Sequence, residues 1–295
     1  MQPTRPGPGW YPDPWVAGGL RFWDGMVWTA GVALPTPAGR PSDAPPLDRA
    51  VAAQHAQDPR PWGWRPVVLP CIAIAVVAAV ATTITHLVQP RTFTAGFIET
   101  IVLNVLAYSA LGSVVWFAGR DIAARYGGWG PAFGLYRPSR RDIGYIASGI
   151  GVSFVCRVVV AVIANGLTNG RAGQQSQNLR LHTASVPVDI LLVVVVVLLA
   201  PVIEEIIFRG LLLRAFMRRL SFWPAALAST FIFAAFHTYE VNTLAGALTL
   251  AAIVATLGLT NCVLVRLTGR VTPGIVVHAA FNALAAVVII YLATH

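Results

Sequence analysis

Glu204 and Glu205 stand side by side, with Arg209 four residues further on, inside LLAPVIEEIIFRGLLLR (residues 198–214), a stretch otherwise rich in Val, Ile, Leu and Phe. On a helix, Glu205 and Arg209 share a face, while Glu204 is turned away from Glu205 by about 100°. Arg209 can therefore neutralise Glu205, and Glu204 is left facing elsewhere. A structural ion pair needs one carboxylate, so the second is where chemistry is to be sought. His237 follows FIFAAF, one helical turn beyond Phe233, and His278 and Asn282, in VVHAAFNAL, are likewise four apart. Three helices can bring a carboxylate, two imidazoles and an amide to one cavity, which is the polar inventory of a hydrolase site. Taken singly, each has a plainer reading, because a histidine or asparagine within an apolar helix commonly bonds a neighbouring helix. His86 and His295 are read that way, and Arg157 and Glu99 as a structural pair or as side chains reaching for the interface. The four residues Glu204, His237, His278 and Asn282 differ in forming three spaced sets confined to one end of the chain.

The elements that must position them are set by composition. Apolar residues make up 56% of the 295 and charged residues 11%, which is a membrane composition. Seven apolar runs, at roughly 67–89, 93–119, 143–166, 187–213, 222–239, 243–265 and 271–294, each approach the ~20 residues that cross ~30 Å of hydrocarbon. The fold class read from this is an all-α polytopic membrane protein, a bundle of seven transmembrane helices. The first run follows more than 60 residues that hold six arginines and five aspartates, so it does not read as the apolar stretch of a cleavable signal peptide.

All 21 basic residues are arginines. With the N-terminus inside, sixteen of them fall on cytoplasmic segments, only Arg91, Arg171 and Arg180 on the other side, and Arg157 and Arg209 within spans. The positive-inside rule then gives a multi-pass protein of the cell membrane with a cytoplasmic N-terminus, and it accounts for the net charge of +9 without a nucleic-acid partner. The cysteines, Cys71, Cys156 and Cys262, lie in three different runs with no CxxC spacing, which argues against a disulfide framework or a cysteine-held metal.

Three regions follow. Residues 1–32 carry Trp10, Tyr11, Trp15, Phe22, Trp23 and Trp28 among Gly, Pro and Asp, and read as a tiny β-rich module built on aromatic contacts, suited to a cytoplasmic partner or the membrane surface. Residues 33–65, rich in Pro and Ala, read as a flexible linker. Residues 66–295 form the transmembrane domain, with the chemical motifs inside 187–290. The basic loop 120–142 is expected along the inner headgroups, with Tyr126, Trp129 and Tyr136 as interfacial anchors.

Taken together and in this order, Glu204-Glu205-x-x-x-Arg209, Phe233-x-x-x-His237 and His278-x-x-x-Asn282 resemble the three motifs of the CPBP family of intramembrane proteases, which includes the CAAX prenyl endopeptidases and bacteriocin-processing relatives. The run RLTGRVTPGIVVHAAFN is similar to that family as well, and the resemblance covers about residues 187–290. It implies eight spans where hydropathy gives seven. The GWYPDP, LRFWDG and WT pattern near the N-terminus resembles a short Trp-rich module found at the start of many bacterial membrane proteins.

The resemblance implies peptide-bond hydrolysis in or beside the bilayer, acting on a membrane-associated peptide or protein. It implies Glu204 as general base, His237 as the group that holds the water, His278 and Asn282 as donors to the oxyanion, and Glu205 with Arg209 in support. No cofactor is favoured; zinc, held by Glu204, His237 and His278, is the metal-dependent alternative. At 1.5 Å per residue, Glu204 lies about 13 Å from the cytoplasmic end of its run, His278 about 10 Å, Asn282 about 17 Å and His237 about 22 Å. Side-chain lean narrows the mismatch, and proximity of His237 to Glu204 is the condition on which the roles stand. The competing classes are a proton-coupled transporter using the same groups as a relay, and a catalytically idle membrane scaffold.

Overall fold

The computed structural model describes residues 8–12, 20–24, 26–33, 47–57, 63, 65–88, 93–169, 193–238, 241 and 243–294. At the N-terminus, β1 (Gly9–Pro12), β2 (Leu20–Trp23) and β3 (Trp28–Ala33) form an antiparallel sheet in that order. Trp10 is the register partner of Phe22, and their rings meet edge to face at 5.5 Å. Such cross-strand aromatic pairs are what a sheet too small for a core has to rely on. The β2–β3 turn is held by Asp24 Oδ1, which accepts the N–H groups of Met26 and Val27 at 2.7 Å each. Those two bonds hold the Asp24 carboxyl below its ordinary range.

The reading of residues 33–65 as flexible linker gives way at residues 47–57 to a docked helix, α1 (Leu47–Gln57). Its apolar contribution is small, Leu47 and Val51 one turn apart, yet both are buried with Leu213, Phe222, Ala225, Val265 and Val271. Beside them, Arg266 Nε lies 3.3 Å from Asp48 Oδ2 and its guanidinium lies 4.4 Å over the Phe222 ring.

The apolar runs are helical: α2 (Arg65–Val88), α3 (Phe93–Arg125), α5 (Asp142–Thr168), α6 (residues 193–217), α7 (Phe222–His237), α8 (Leu244–Thr268) and α9 (Thr272–Thr294), with the short α4 (Trp129–Phe133) after α3. Among the described residues, four helices are long and apolar enough to cross a bilayer: Arg65–Ile84, Val102–Arg125, Asp142–Thr168 and Leu244–Thr268. The helix α7 and the stretch Thr272–Val287 of α9 are apolar but shorter. Outward faces of the long helices carry Leu106, Phe117, Val152, Val155 and Val162 exposed, as suits a bundle solvated by lipid.

α6 is the irregular helix, and it carries the carboxylates. Two π-helical segments, Val195–Leu199 and Ile206–Leu212, flank an α-helical turn, Ala200–Glu205. Pro201 supplies the reason for the first. It has no N–H to offer and its ring crowds the preceding turn, so the ladder cannot continue unbroken. Ala200 N–H bonds the Val195 carbonyl, and the next donor in that register is Pro201. The Val196 carbonyl instead accepts from Asn282 Nδ2 of α9 at 2.9 Å. In the second segment the Phe208 carbonyl accepts both the Leu213 N–H and the hydroxyl of Ser229 from α7, the latter at 2.8 Å.

The 120–142 region departs from the expected surface loop. α3 continues to Arg125, Tyr126 is buried, and Trp129 stacks on Trp116 at 5.9 Å and leans on Phe133 at 5.0 Å. Tyr126 therefore packs into the protein, and Trp129, partly buried, packs against Trp116 and Phe133. The following strand of loop lies across the start of α9: Val271 N–H donates to the Gly134 carbonyl at 2.8 Å, and the Thr272 hydroxyl donates to the Tyr136 carbonyl. Asp142, at the head of α5, pairs with Arg270 at 3.3 Å. These contacts fix the end of α9 from which His278 projects.

Candidate active site

Glu205 is fully buried, and a single oxygen, Oε1, receives three donors: Arg209 Nη1 at 2.9 Å, Asn261 Nδ2 at 2.9 Å and His278 Nδ1 at 3.0 Å. Arg209, equally buried, also lies with its guanidinium 4.5 Å over the face of Phe233. A charge placed in lipid has to be matched in this way, by a counter-ion and by hydrogen bonds. Room for the cluster comes from two glycines. A Cβ on Gly258 would stand 3.1 Å from Arg209 Nη2, and one on Gly274 would stand 3.1 Å from Glu205 Oε2.

Glu204, on the adjacent face of α6, is treated differently. Its Oε1 accepts the hydroxyl of Tyr108 from α3 at 2.7 Å. Its Oε2 is buried and has no hydrogen-bond partner among the described residues, while His237 Nε2 and His278 Nε2 each lie 3.8 Å from it. The condition set by the sequence is met: α7 delivers His237 to Glu204 within the reach of one bridging water. Both imidazoles are oriented from behind. His237 Nδ1 lies 2.8 Å from the Phe233 carbonyl, which can only accept, so Nδ1 carries a proton and Nε2 is the ring nitrogen turned to Glu204. His278 Nδ1 faces the Glu205 carboxylate in the same manner, leaving Nε2 toward Glu204. Phe233 packs between them, its ring 4.8 Å from that of His237 and 5.7 Å from that of His278.

Of the six residues singled out by spacing, five thus form one connected cluster: Glu204, Glu205, Arg209, His237 and His278. Asn282 lies one turn beyond His278 on α9, and its amide N–H is engaged by the Val196 carbonyl in the π segment that leads into Glu204. Arg157 lies 4.9 Å over the ring of Phe281; the side chains of His86 and Glu99, and His295, are outside the described residues. Tyr108 and Asn261 were not anticipated. Each sits in an apolar run beside a hydroxyl residue, VLAYSAL and LTNCVL; Asn104 lies one helical turn before Tyr108, whereas Asn261 has no polar residue three or four positions away.

The donor set Glu204, His237 and His278 is chemically suited to zinc, but its spacing is wide. Bonds of about 2.0–2.1 Å at tetrahedral angles separate ligand atoms by about 3.4 Å, against the two separations of 3.8 Å seen here. Among the described residues no group of three or more His, Cys, Asp or Glu lies at metal-ligating spacing.

Compared with known families, residues 186–284 match the model described as type II CAAX prenyl endopeptidase Rce1-like. The match is to this segment, which is similar to that endopeptidase family. It holds α6 to α9 up to residue 284, and with them every motif residue, whereas Tyr108 lies on α3, outside it. Residues 8–44 match DUF2510, a family of unknown function, and include the small sheet. No curated protein and no solved structure matches the chain. The Rce1-like match, together with the apolar helices, supports a CAAX-protease-like membrane protein.

Proposed function

We propose that this protein is a multi-pass intramembrane endopeptidase, with its N-terminus in the cytoplasm, which hydrolyses peptide bonds of membrane-associated substrates using water activated by Glu204. One observation carries the reading: a buried carboxylate oxygen without a partner among the described residues faces the Nε2 atoms of two imidazoles, 3.8 Å from each. A water seated there donates one proton toward Glu204 Oε2 and the other toward His237 Nε2, and keeps its lone pairs for a substrate carbonyl carbon. As the O–C bond forms, the water proton passes to Glu204. The same proton goes to the amide nitrogen when the C–N bond breaks, which returns the carboxylate. The second N–H of Asn282, and His278 when its Nε2 carries a proton, supply donors to the oxyanion. Glu205 and Arg209 hold His278 and the α6 backbone still. The Rce1-like match supports a substrate ending in a prenylated CAAX sequence. No step requires a metal.

The test is cleavage of a fluorophore-quenched farnesylated CAAX peptide, and of a leader-type peptide, by the purified protein in liposomes. Cleavage that survives a chelator and is lost in Glu204→Gln supports the reading. Proton flux that depends on Glu204, with neither peptide cut, supports a transporter instead.

A further inference from the structure

The two oxygens of Glu204 are not equivalent, and a residue outside the Rce1-like segment makes them so. Tyr108 donates to Oε1 at 2.7 Å, while Oε2 is the atom turned to His237 and His278. A glutamate side chain has three rotatable bonds, and packing on α6 alone leaves the carboxylate free to spin about the last of them. Arg209 and Asn261, the strong donors next door, both bond Glu205. Of the contacts described for Glu204, the one from Tyr108 is the only hydrogen bond, and it pins the carboxylate plane. One turn along α3, Gly112 faces Ile203, whose Cδ1 would stand 3.9 Å from an added Cβ, so α3 lies against α6 over the turn that includes Tyr108.

We propose that Tyr108 is a positioning residue for the catalytic base: it holds Glu204 Oε1 so that Oε2 meets the water between the two imidazoles, and α3 thereby completes a site whose other groups all come from residues 186–284. The inference rests on the endopeptidase reading. Its distinctive consequence is kinetic. The tyrosine hydroxyl is occupied by Glu204, so its removal disturbs the orientation of the base more than the binding of peptide. Misorientation of a catalytic group by a fraction of an ångström to an ångström costs roughly 10- to 100-fold in rate.

The experiment compares wild type, Tyr108→Phe and Glu204→Gln in liposomes with the quenched farnesylated CAAX peptide. Tyr108→Phe is expected to lower kcat about 10- to 100-fold with KM within about twofold of wild type. Full kcat in Tyr108→Phe, or a loss confined to KM, overturns the positioning role, while activity in Glu204→Gln overturns the endopeptidase reading itself. A second arm needs no substrate. The infrared difference between wild type and Tyr108→Phe should contain a carboxylate-stretch change that disappears when the same difference is taken in a Glu204→Gln background; a difference spectrum identical in both backgrounds refutes the contact. Should Tyr108→Phe fail to fold, 3-fluorotyrosine at position 108 keeps the shape and changes the donor strength, and an unaltered kcat there counts against the proposal.

Discussion

The two sides of α6 present the same carboxylate to two different environments. On one side, Glu205 gathers an arginine, an asparagine and a histidine on a single oxygen, and every partner comes from a buried, helix-held position. On the other, one peptide bond away in sequence, Glu204 has a phenol on one oxygen and no arginine among its described contacts; its second oxygen, without a hydrogen-bond partner like Glu205 Oε2, is the one that lies 3.8 Å from two imidazole Nε2 atoms. A counter-ion on a buried charge gives rigidity, whereas a carboxylate without one, whose free oxygen faces two ring nitrogens, is open to a proton donor that reaches it. The lesson is that the adjacent pair is a division of tasks. Glu205 fixes His278 through Nδ1, and the Nε2 of that ring is thereby directed at Glu204.

Breaking the matched side should have the largest effect on stability. Arg209→Met leaves the Glu205 charge buried without its counter-ion, and the expected loss is about 3–5 kcal/mol, read as a collapse of the thermal unfolding transition in detergent. Asn261→Leu is a milder form of the same attack. It removes one donor to a charged group, for an expected loss of about 1.5–3 kcal/mol in the same assay, and it lowers activity only as far as His278 is disturbed. Asn282→Leu moves the test to the Glu204 side: the Val196 carbonyl loses its donor, with about 1–3 kcal/mol expected, and cleavage falls by more than the stability loss accounts for. At the far end of the scale, Arg266→Ala removes a largely solvent-screened pair with Asp48 and a ring contact, and unfolding should shift by under about 1 kcal/mol with peptide cleavage unchanged. An Arg266 effect as large as that of Arg209 would contradict the contrast between a pair matched in the bundle and a pair at its rim.

The apolar runs and the i,i+4 sets were legible because helical periodicity and hydrocarbon thickness act on local sequence, and both survive in the structure: Glu205 meets Arg209, and His237 meets Glu204. The depth mismatch estimated for His237 was absorbed by the bundle. Tyr108 was not legible because its partner lies 96 residues away; Asn104, one helical turn before it, marks a polar position on that face of α3 without naming the partner. The engagement of Asn282 was hidden for a related reason. Its acceptor is a backbone carbonyl freed by Pro201, and the proline was visible in the sequence, although which side chain would answer it was not. α1 was missed because Leu47 and Val51 give only one turn of apolar signal in Pro/Ala-rich surroundings, with burial supplied by tertiary contacts. The inward packing of Tyr126, and that of Trp129 against Trp116 and Phe133, was obscured by the habit of aromatic residues near span ends to face the headgroups.

The central claim is that the two glutamates divide structure from chemistry, and the direct measurement is a matched pair, Glu204→Gln and Glu205→Gln, each assayed for peptide cleavage and for thermal unfolding in the same detergent. Glu204→Gln is expected to retain the wild-type unfolding temperature and to lose at least about 100-fold in kcat; Glu205→Gln is expected to unfold at markedly lower temperature. If Glu204→Gln cleaves at the wild-type rate, or if the two variants lose stability and activity in equal measure, the division does not exist.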